Sequence, residues 1–250
     1  MILGILQARM TSTRLPGKVL KLINGKPMIH WQIMRTLNAK SIDNLVVATS
    51  TDPSDDILCQ YLDSIGISTV RGSLENVKER FDLVLSKFQP EVFVRLTADC
   101  PLVMPEILDK LVEEFMRRRV DYLSNTLTPT YPDGLDIEVV RTSAFYRLMG
   151  LELSKIDKEH VTYALYTRGN LFSTYNYENN LDLSSMRWTV DYQEDLHFVE
   201  QVFKAFQGQE AIFGLPRLLE FLSKNPSLSS SIDGRRRNES LLKELGDNNE

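Results

Sequence analysis

The sequence of 250 residues has only two cysteines, Cys59 and Cys100, far apart and outside any CxxC spacing. Neither a disulfide framework nor a thiolate zinc site is expected from them. The three histidines, His30, His160 and His197, are scattered, which argues against a histidine zinc centre. No stretch approaches the roughly 20 apolar residues of a membrane-spanning helix, and the N-terminus lacks the charged flank and apolar segment of a secretion signal. The formal net charge is -5, so no global basic field favours nucleic acid as a partner. No internal repeat is present. These absences point to a soluble, cytoplasmic protein with no membrane or nucleic-acid partner. The length fits one α/β domain over residues 1–226 and a polar C-terminal tail over 227–250.

What is present is concentrated at the start. Met1-Ile2-Leu3-Gly4-Ile5-Leu6 reads as a buried strand, and Gln7-Ala8-Arg9-Met10-Thr11-Ser12-Thr13-Arg14-Leu15-Pro16-Gly17-Lys18 follows at once. A strand emptying into a loop with Arg9, Arg14, Lys18, hydroxyls and a glycine suits an anion, and in an α/β domain a nucleotide phosphate. Two familiar phosphate loops do not match. A P-loop needs Gly at position 12 and Ser or Thr after Lys18, where Ser12 and Val19 stand. The dinucleotide fingerprint fails because Gly4 and Gly17 are the only glycines here. A basic loop that is merely solvated stays open as the plainer alternative.

Strand and helix patterns then alternate. Strands are expected at Asn44 to Ser50, Ser68 to Val70 and Val92 to Leu96. Helices are expected at Met28 to Leu37, Pro53 to Ile65, Val77 to Phe88 and Pro105 to Arg118. The alternation implies a mostly parallel sheet covered on both faces, with ligands beyond the carboxyl ends of its strands. In the second half, Asp121 to Thr130 reads as polar turn, Leu135 to Val140 as a strand with Asp136 and Glu138 on one face, and Lys158 to Tyr166 as a helix. Phe172 to Tyr177 and Trp188 to Asp191 read as strands, with a helix over Asp195 to Phe206. The tail carries Arg235-Arg236-Arg237, then Asn238 and a short helix-like run, and its final Gly-Asp-Asn-Asn-Glu is expected to be disordered.

Asp99 and Asp191 each end an apolar strand. Two such carboxylates aimed at one phosphate loop could hold Mg²⁺, which takes one or two carboxylates plus phosphate oxygens. Each could equally cap the following helix, and Asp191 with Glu194 fits a capping box. Asp133, Asp136 and Glu138 could accept hydrogen bonds from sugar hydroxyls or form a solvated face. His160 could line the same pocket or be structural.

The stretch from Leu6 to Leu20 resembles the N-terminal signature of the cytidylyltransferases that activate acidic sugars, the CMP-Kdo and CMP-sialic acid synthetases, and more closely their SpsF-like branch. Further blocks match in order: Val47-Ala48-Thr49-Ser50, Arg71-Gly72-Ser73, Arg95 to Leu102, Asp121 to Thr126, Tyr131 to Glu138, Glu159 to Thr162 and Arg187 to Asp191. The resemblance implies a nucleotide-diphospho-sugar transferase-like, three-layer α/β/α fold with a mostly parallel mixed sheet. It also implies Mg²⁺-dependent transfer of CMP from CTP to an acidic keto-deoxy sugar. Arg9, Ser12, Arg14 and Lys18 fall on the family's triphosphate loop, and Leu6, Ala8, Arg71 and Thr97 complete the expected nucleotide side. Asp99 and Asp191 fall on its metal ligands, and these two with Arg14 and Lys18 are the expected catalytic set. Asn125, Asp133, Asp136, Glu138 and His160 make the expected sugar side, and a homodimer through a hairpin inserted around residues 125–180 is implied. Thr97-Ala98-Asp99 departs from the family's Gln-Gly-Asp, which leaves base and sugar choice open. Another NTP or a sugar phosphate as substrate, a glycosyltransferase on the same fold, and a silent nucleotide-binding subunit remain alternatives.

Overall fold

The apolar runs that open the chain and recur near residues 45 and 93 are buried on both faces, as strands in the middle of a helix-covered sheet must be. The computed structural model describes residues 1–229, Arg237 and residues 239–247. The first half runs β1 (Ile2–Gln7), a small hairpin β2 (Leu22–Ile23) and β3 (Lys26–Pro27), α1 (Met28–Leu37), β4 (Asn44–Ser50), α2 (Asp56–Ser64), β5 (Ser68–Gly72), α3 (Val77–Phe88), β6 (Val92–Thr97) and α4 (Pro105–Arg118). The second half runs β7 (Tyr122–Ser124), β8 (Glu138–Arg141), α5 (Thr142–Met149), α6 (Lys155–Glu159), α7 (Tyr163–Thr167), β9 (Thr174–Asn176), α8 (Gln193–Ala205), α9 (Leu215–Lys224), α10 (Pro226–Ser229) and α11 (Glu239–Asp247).

Among the described residues the main sheet has seven strands in the order β5-β4-β1-β6-β8-β7-β9. Strands β5, β4, β1 and β6 are parallel, β8 runs antiparallel to both β6 and β7, and β9 pairs parallel with β7. Alternate residues feed two cores. Leu6, Val47, Val94 and Leu96 pack against α1, α4 and α8, while Leu3, Ile5, Val46 and Phe93 pack against α3 and α5. The result is the mostly parallel, three-layer α/β fold expected.

The expected helices Met28–Leu37, Val77–Phe88 and Pro105–Arg118 form with those bounds. The second half departs more. The strand expected from Leu135 begins only at Glu138, because the Asn125 side chain takes the backbone groups of the preceding residues: its Nδ2 donates to the Leu135 carbonyl at 2.8 Å and its Oδ1 accepts from Ile137 N at 2.9 Å. The helix expected over 158–166 is split into α6 and α7 where His160 turns extended, with ψ 89°. Trp188–Val190 is extended but pairs with loops: Val190 N donates to the Asp99 carbonyl at 2.8 Å. The segment read as polar turn contains β7. The region 125–180 carries β8, α5, α6, α7 and β9, and β8 lies inside the sheet between β6 and β7.

The helix-like run read after Asn238 forms α11, which extends over Gly246 and Asp247 of the stretch expected to be disordered. Arg235, Arg236 and the last three residues lie outside the described residues.

One buried carboxylate ties the sheet to the first loop. Asp55, fully buried, accepts from Met10 N at 2.7 Å, from Thr49 Oγ1 at 2.8 Å, and from the amide and hydroxyl of Ser50. Replacing it strands four donors. Asp55→Ala is expected to destabilise the fold by about 3 kcal/mol, a fall in melting temperature of roughly 6–12 °C, measurable by thermal and urea unfolding.

Candidate active site

The loop after β1 folds onto Met10, whose carbonyl accepts from Ser12 N and Gly17 N, both at 3.0 Å. Gly17 is left-handed, φ 66°, a conformation that costs glycine little, and it turns the chain into a short helix from Lys18. Lys18 is thereby driven inward. Its ammonium donates to the Val190 carbonyl at 2.7 Å, to Asp191 Oδ1 at 3.0 Å and to Asp99 Oδ2 at 3.3 Å.

Asp191 is enclosed by cations. Arg14 Nη2 lies 2.7 Å from its Oδ1 and Arg187 Nη2 lies 3.0 Å from its Oδ2. Burial alone would raise its carboxyl, but Lys18 and Arg14 outweigh that and hold it far below the ordinary range. Burial opposes ionisation of Asp99 likewise, and Lys18 again wins, so Asp99 is lowered. Lys18 is raised against its own burial by Asp99 and Asp191. The alternative that Asp191 caps the next helix does not hold: Tyr192 stands at the cap, and Asp195 completes a capping box with it, its Oδ2 accepting from Asp191 N and Tyr192 N, both at 2.9 Å. The Asp191 carboxylate is left for cations.

A second wall adjoins this cluster. Arg187 Nη1 donates to Asp133 Oδ2 and Arg95 Nη1 to Glu138 Oε1, both at 2.6 Å, while Arg95 Nη2 reaches Gln7 Oε1 at 3.2 Å. Asp133 reaches Arg187 because Gly134 lets its turn press against the chain at Trp188 and Thr189. Gly134 has φ 104°, and a Cβ there would collide with their backbone. Burial, with Asp133, Glu138 and Asp99 nearby, pushes Asp136 up to about 7 despite Arg237. Burial raises Asp133 too, against the pull of Arg237 and Arg187.

Both walls face one cleft beyond the carboxyl ends of β1 and β6. Of the residues singled out from sequence, Arg9, Arg14, Thr97, Asp99, Asp133, Asp136, Glu138, His160 and Asp191 line it. The others do not. Leu6 and Ala8 are buried in the core. Ser12 Oγ accepts from Leu15 N within its own loop. Arg71 is turned to the Ser50 and Asp52 carbonyls and to Asp56. Asn125 is buried beneath the 135–137 segment it supports. Lys18 lies under the two aspartates. Sequence reasoning gave no role to Arg95, Arg187 or Glu239, which also line the cleft. The first two stood inside matched blocks, whereas nothing in the sequence placed Glu239.

A parallel sheet whose carboxyl edge presents a cationic loop against two aspartates defines an α/β nucleotidyltransferase. The cytidylyltransferase family profile matches residues 3–225, and the chain belongs to that family. It is 32% identical to the spore coat polysaccharide biosynthesis protein SpsF of Bacillus subtilis, over 92% of this chain and 97% of that protein. The structure of a cytidylyltransferase from Leptospira borgpetersenii superposes with a TM-score of 0.88 at 29% identity, covering 94% of this chain and 99% of that one. A CMP-2-keto-3-deoxy-manno-octonic acid synthetase solved with CTP shares the fold, with a TM-score of 0.63 at 17% identity over 82% and 98% of the two chains. Among the described residues no helix is long and apolar enough to cross a membrane.

Two outcomes are expected. Between pH about 4 and about 7 the folded chain keeps on Asp136 a proton that the unfolded chain has lost, so this residue's contribution to stability falls as pH rises through that window. Urea unfolding of Asp136→Asn at pH 5 and pH 7.5 should therefore show a smaller loss with rising pH than the unaltered protein. Gly134→Ala should destabilise by roughly 1–3 kcal/mol through backbone strain and should loosen Asp133 from Arg187.

Proposed function

We propose that the chain is a sugar cytidylyltransferase that transfers CMP from CTP to an acidic keto-deoxy sugar, in the cytosol, for cell-surface polysaccharide or glycoconjugate synthesis. The observation that carries this reading is the joining of Lys18, Arg14, Asp99 and Asp191 at one end of the cleft, with a wall of paired carboxylates and arginines at the other. The anomeric hydroxyl oxygen of the sugar attacks the α-phosphorus. The bond from that phosphorus to the bridging oxygen breaks, pyrophosphate leaves, and the hydroxyl proton passes to solvent.

Arg9 and Arg14 line the cleft and supply charge for the triphosphate, with Lys18 behind them. Leu6, Ala8 and Ser12 serve the nucleotide through the main chain and loop shape, and Thr97 lies beside Asp99. Arg71 acts from further out, by fixing the end of β4. The wall of Asp133, Asp136, Glu138 and His160 receives the sugar, with Asn125 as its support.

Asp99 and Asp191 would hold Mg²⁺. Their chemistry suits it: both offer hard carboxylate oxygens, which the Lys18 ammonium joins at 3.3 and 3.0 Å, and Mg²⁺ takes one or two protein carboxylates and completes its shell with phosphate oxygens and water; the ion would share Asp191 with Lys18, Arg14 and Arg187. The ion would offset charge on the phosphates. SpsF, whose name places it in polysaccharide synthesis, and the synthetase solved with CTP support this choice of pathway and nucleotide. The reading includes a homodimer, which light scattering checks.

The test is a pyrophosphate-release screen crossing the four NTPs and Mg²⁺ with acidic keto-sugars and sugar phosphates. Release with CTP and one acidic keto-sugar is expected; release with a different pair would replace these substrates. Nucleotide binding without release would turn the reading to a glycosyltransferase or a silent subunit. Asp99→Asn is expected to lower kcat by about 10²–10³-fold, far more than it lowers the melting temperature, which falls modestly because the buried Lys18 ammonium loses one of its charged partners. Full activity of that variant with Mg²⁺ would sink the mechanism.

A further inference from the structure

The family match ends at residue 225, yet the chain returns to the cleft after that point. Arg237 Nη2 donates to the Tyr131 carbonyl at 2.9 Å. Its Nη1 lies 3.4 Å from Asp136 Oδ1 and its Nε 3.8 Å from Asp133 Oδ1. The contact is sheltered, the Arg237 side chain being 15% exposed. The next element docks beside it. Glu239 Oε2 accepts from Tyr192 Oη at 3.2 Å and lies 3.7 Å from Arg14 Nη1, and Leu241 joins the lining of the cleft.

The wall has three carboxylates in one low-dielectric place. Glu138 is paired with Arg95, and Asp133 with Arg187, which it shares with Asp191 and Asp195. Among the described residues, Asp136 has its ion pair with Arg237. Arg237 draws Asp136 toward its ionised, accepting form; without that guanidinium the proton that burial already favours would be held to higher pH, and any charge left on the carboxylate would repel an anionic ligand. Either change alters what the wall can bind. Arg237 also pins the start of the turn that carries Asp133, through the Tyr131 carbonyl.

Resting on the function proposed above, we infer that Arg237 is a positioning residue of the acceptor pocket: from beyond the family-matched region, it fixes Asp133 and Asp136 and balances their charge where an anionic acceptor binds. It acts through those aspartates. Among the described residues its own contacts are with Tyr131, Asp133 and Asp136, and it reaches the Lys18 end of the cleft only through Asp133 and Arg187. Acceptor preference is thus set partly by a residue beyond the stretch that the family profile matches.

The experiment compares the full chain with Arg237→Gln and Arg237→Lys. CTP affinity is measured by calorimetry. Acceptor KM and kcat come from pyrophosphate release, with the acidic keto-sugar that the screen returns; 3-deoxy-manno-octulosonate is one of those screened. The expected result for Arg237→Gln is a rise of about tenfold or more in acceptor KM with CTP affinity within twofold of the unaltered chain. Unchanged CTP affinity also shows that the variant folds. Arg237→Lys should recover most of the loss. An acceptor KM unchanged in Arg237→Gln, or a fall in CTP affinity by the same factor, would overturn the inference. Failure of the underlying reading looks different: the unaltered chain would then bind CTP and release no pyrophosphate with any acceptor, and the acceptor role of Arg237 would fall with it.

Discussion

The ammonium of Lys18 is the point on which the rest of the site depends. It joins a loop from the first eighteen residues to the end of β6 and to a segment more than 170 positions further along the chain. Taking a lysine out of water is costly, and the cost is tolerable only with several close acceptors in place. Such a group adds little net stability, but it penalises any arrangement in which one partner is missing. Gly17, which turns the chain inward, and Asp55, which pins Met10, are therefore parts of the same device.

Around that point the molecule is built to resist movement. The two apolar cores clamp the sheet from both faces, so β1 and β6 present their ends in fixed register. Arg35 extends the clamp. Fully buried, it donates to the carbonyls of Val103, Glu210 and Phe213, tying the start of α4 to the loop before α9. Burial lowers its guanidinium to about 10, so it stays charged at neutral pH. It braces the frame at a distance from the Lys18 cluster.

The sequence disclosed local periodicity well and long-range substitution poorly. Helices whose apolar stripe and proline start agreed, such as α1 and α4, were legible to the residue. So was the pairing of a cationic loop with Asp99 and Asp191, because each stood at the end of an apolar strand. The strand expected at Leu135 was shortened by Asn125, whose side chain imitates a neighbouring strand, and no local pattern announces that. Arg71 and Asn125 were placed in the site by their blocks, but both face structural partners. Asp55 looked like an ordinary helix-start residue, yet it anchors the loop. Glu239 and Arg237 were hidden because a polar, charged composition is equally that of a frayed end and of a docked one.

Strand β8 runs against its neighbours, so Glu138 at its beginning stands beside Arg95 near the finish of β6. The Lys18 half of the cleft is thus made by chain leaving the sheet, and the carboxylate half by chain about to enter it. The entering portion is one continuous connection between β7 and β8, and it bears both Asp133 and Asp136. Lengthening or exchanging that single connection would recast the carboxylate wall while every parallel crossover stayed intact. Asp133 on that connection also holds Arg187, which holds Asp191, so such a change would reach the Lys18 end through a single guanidinium.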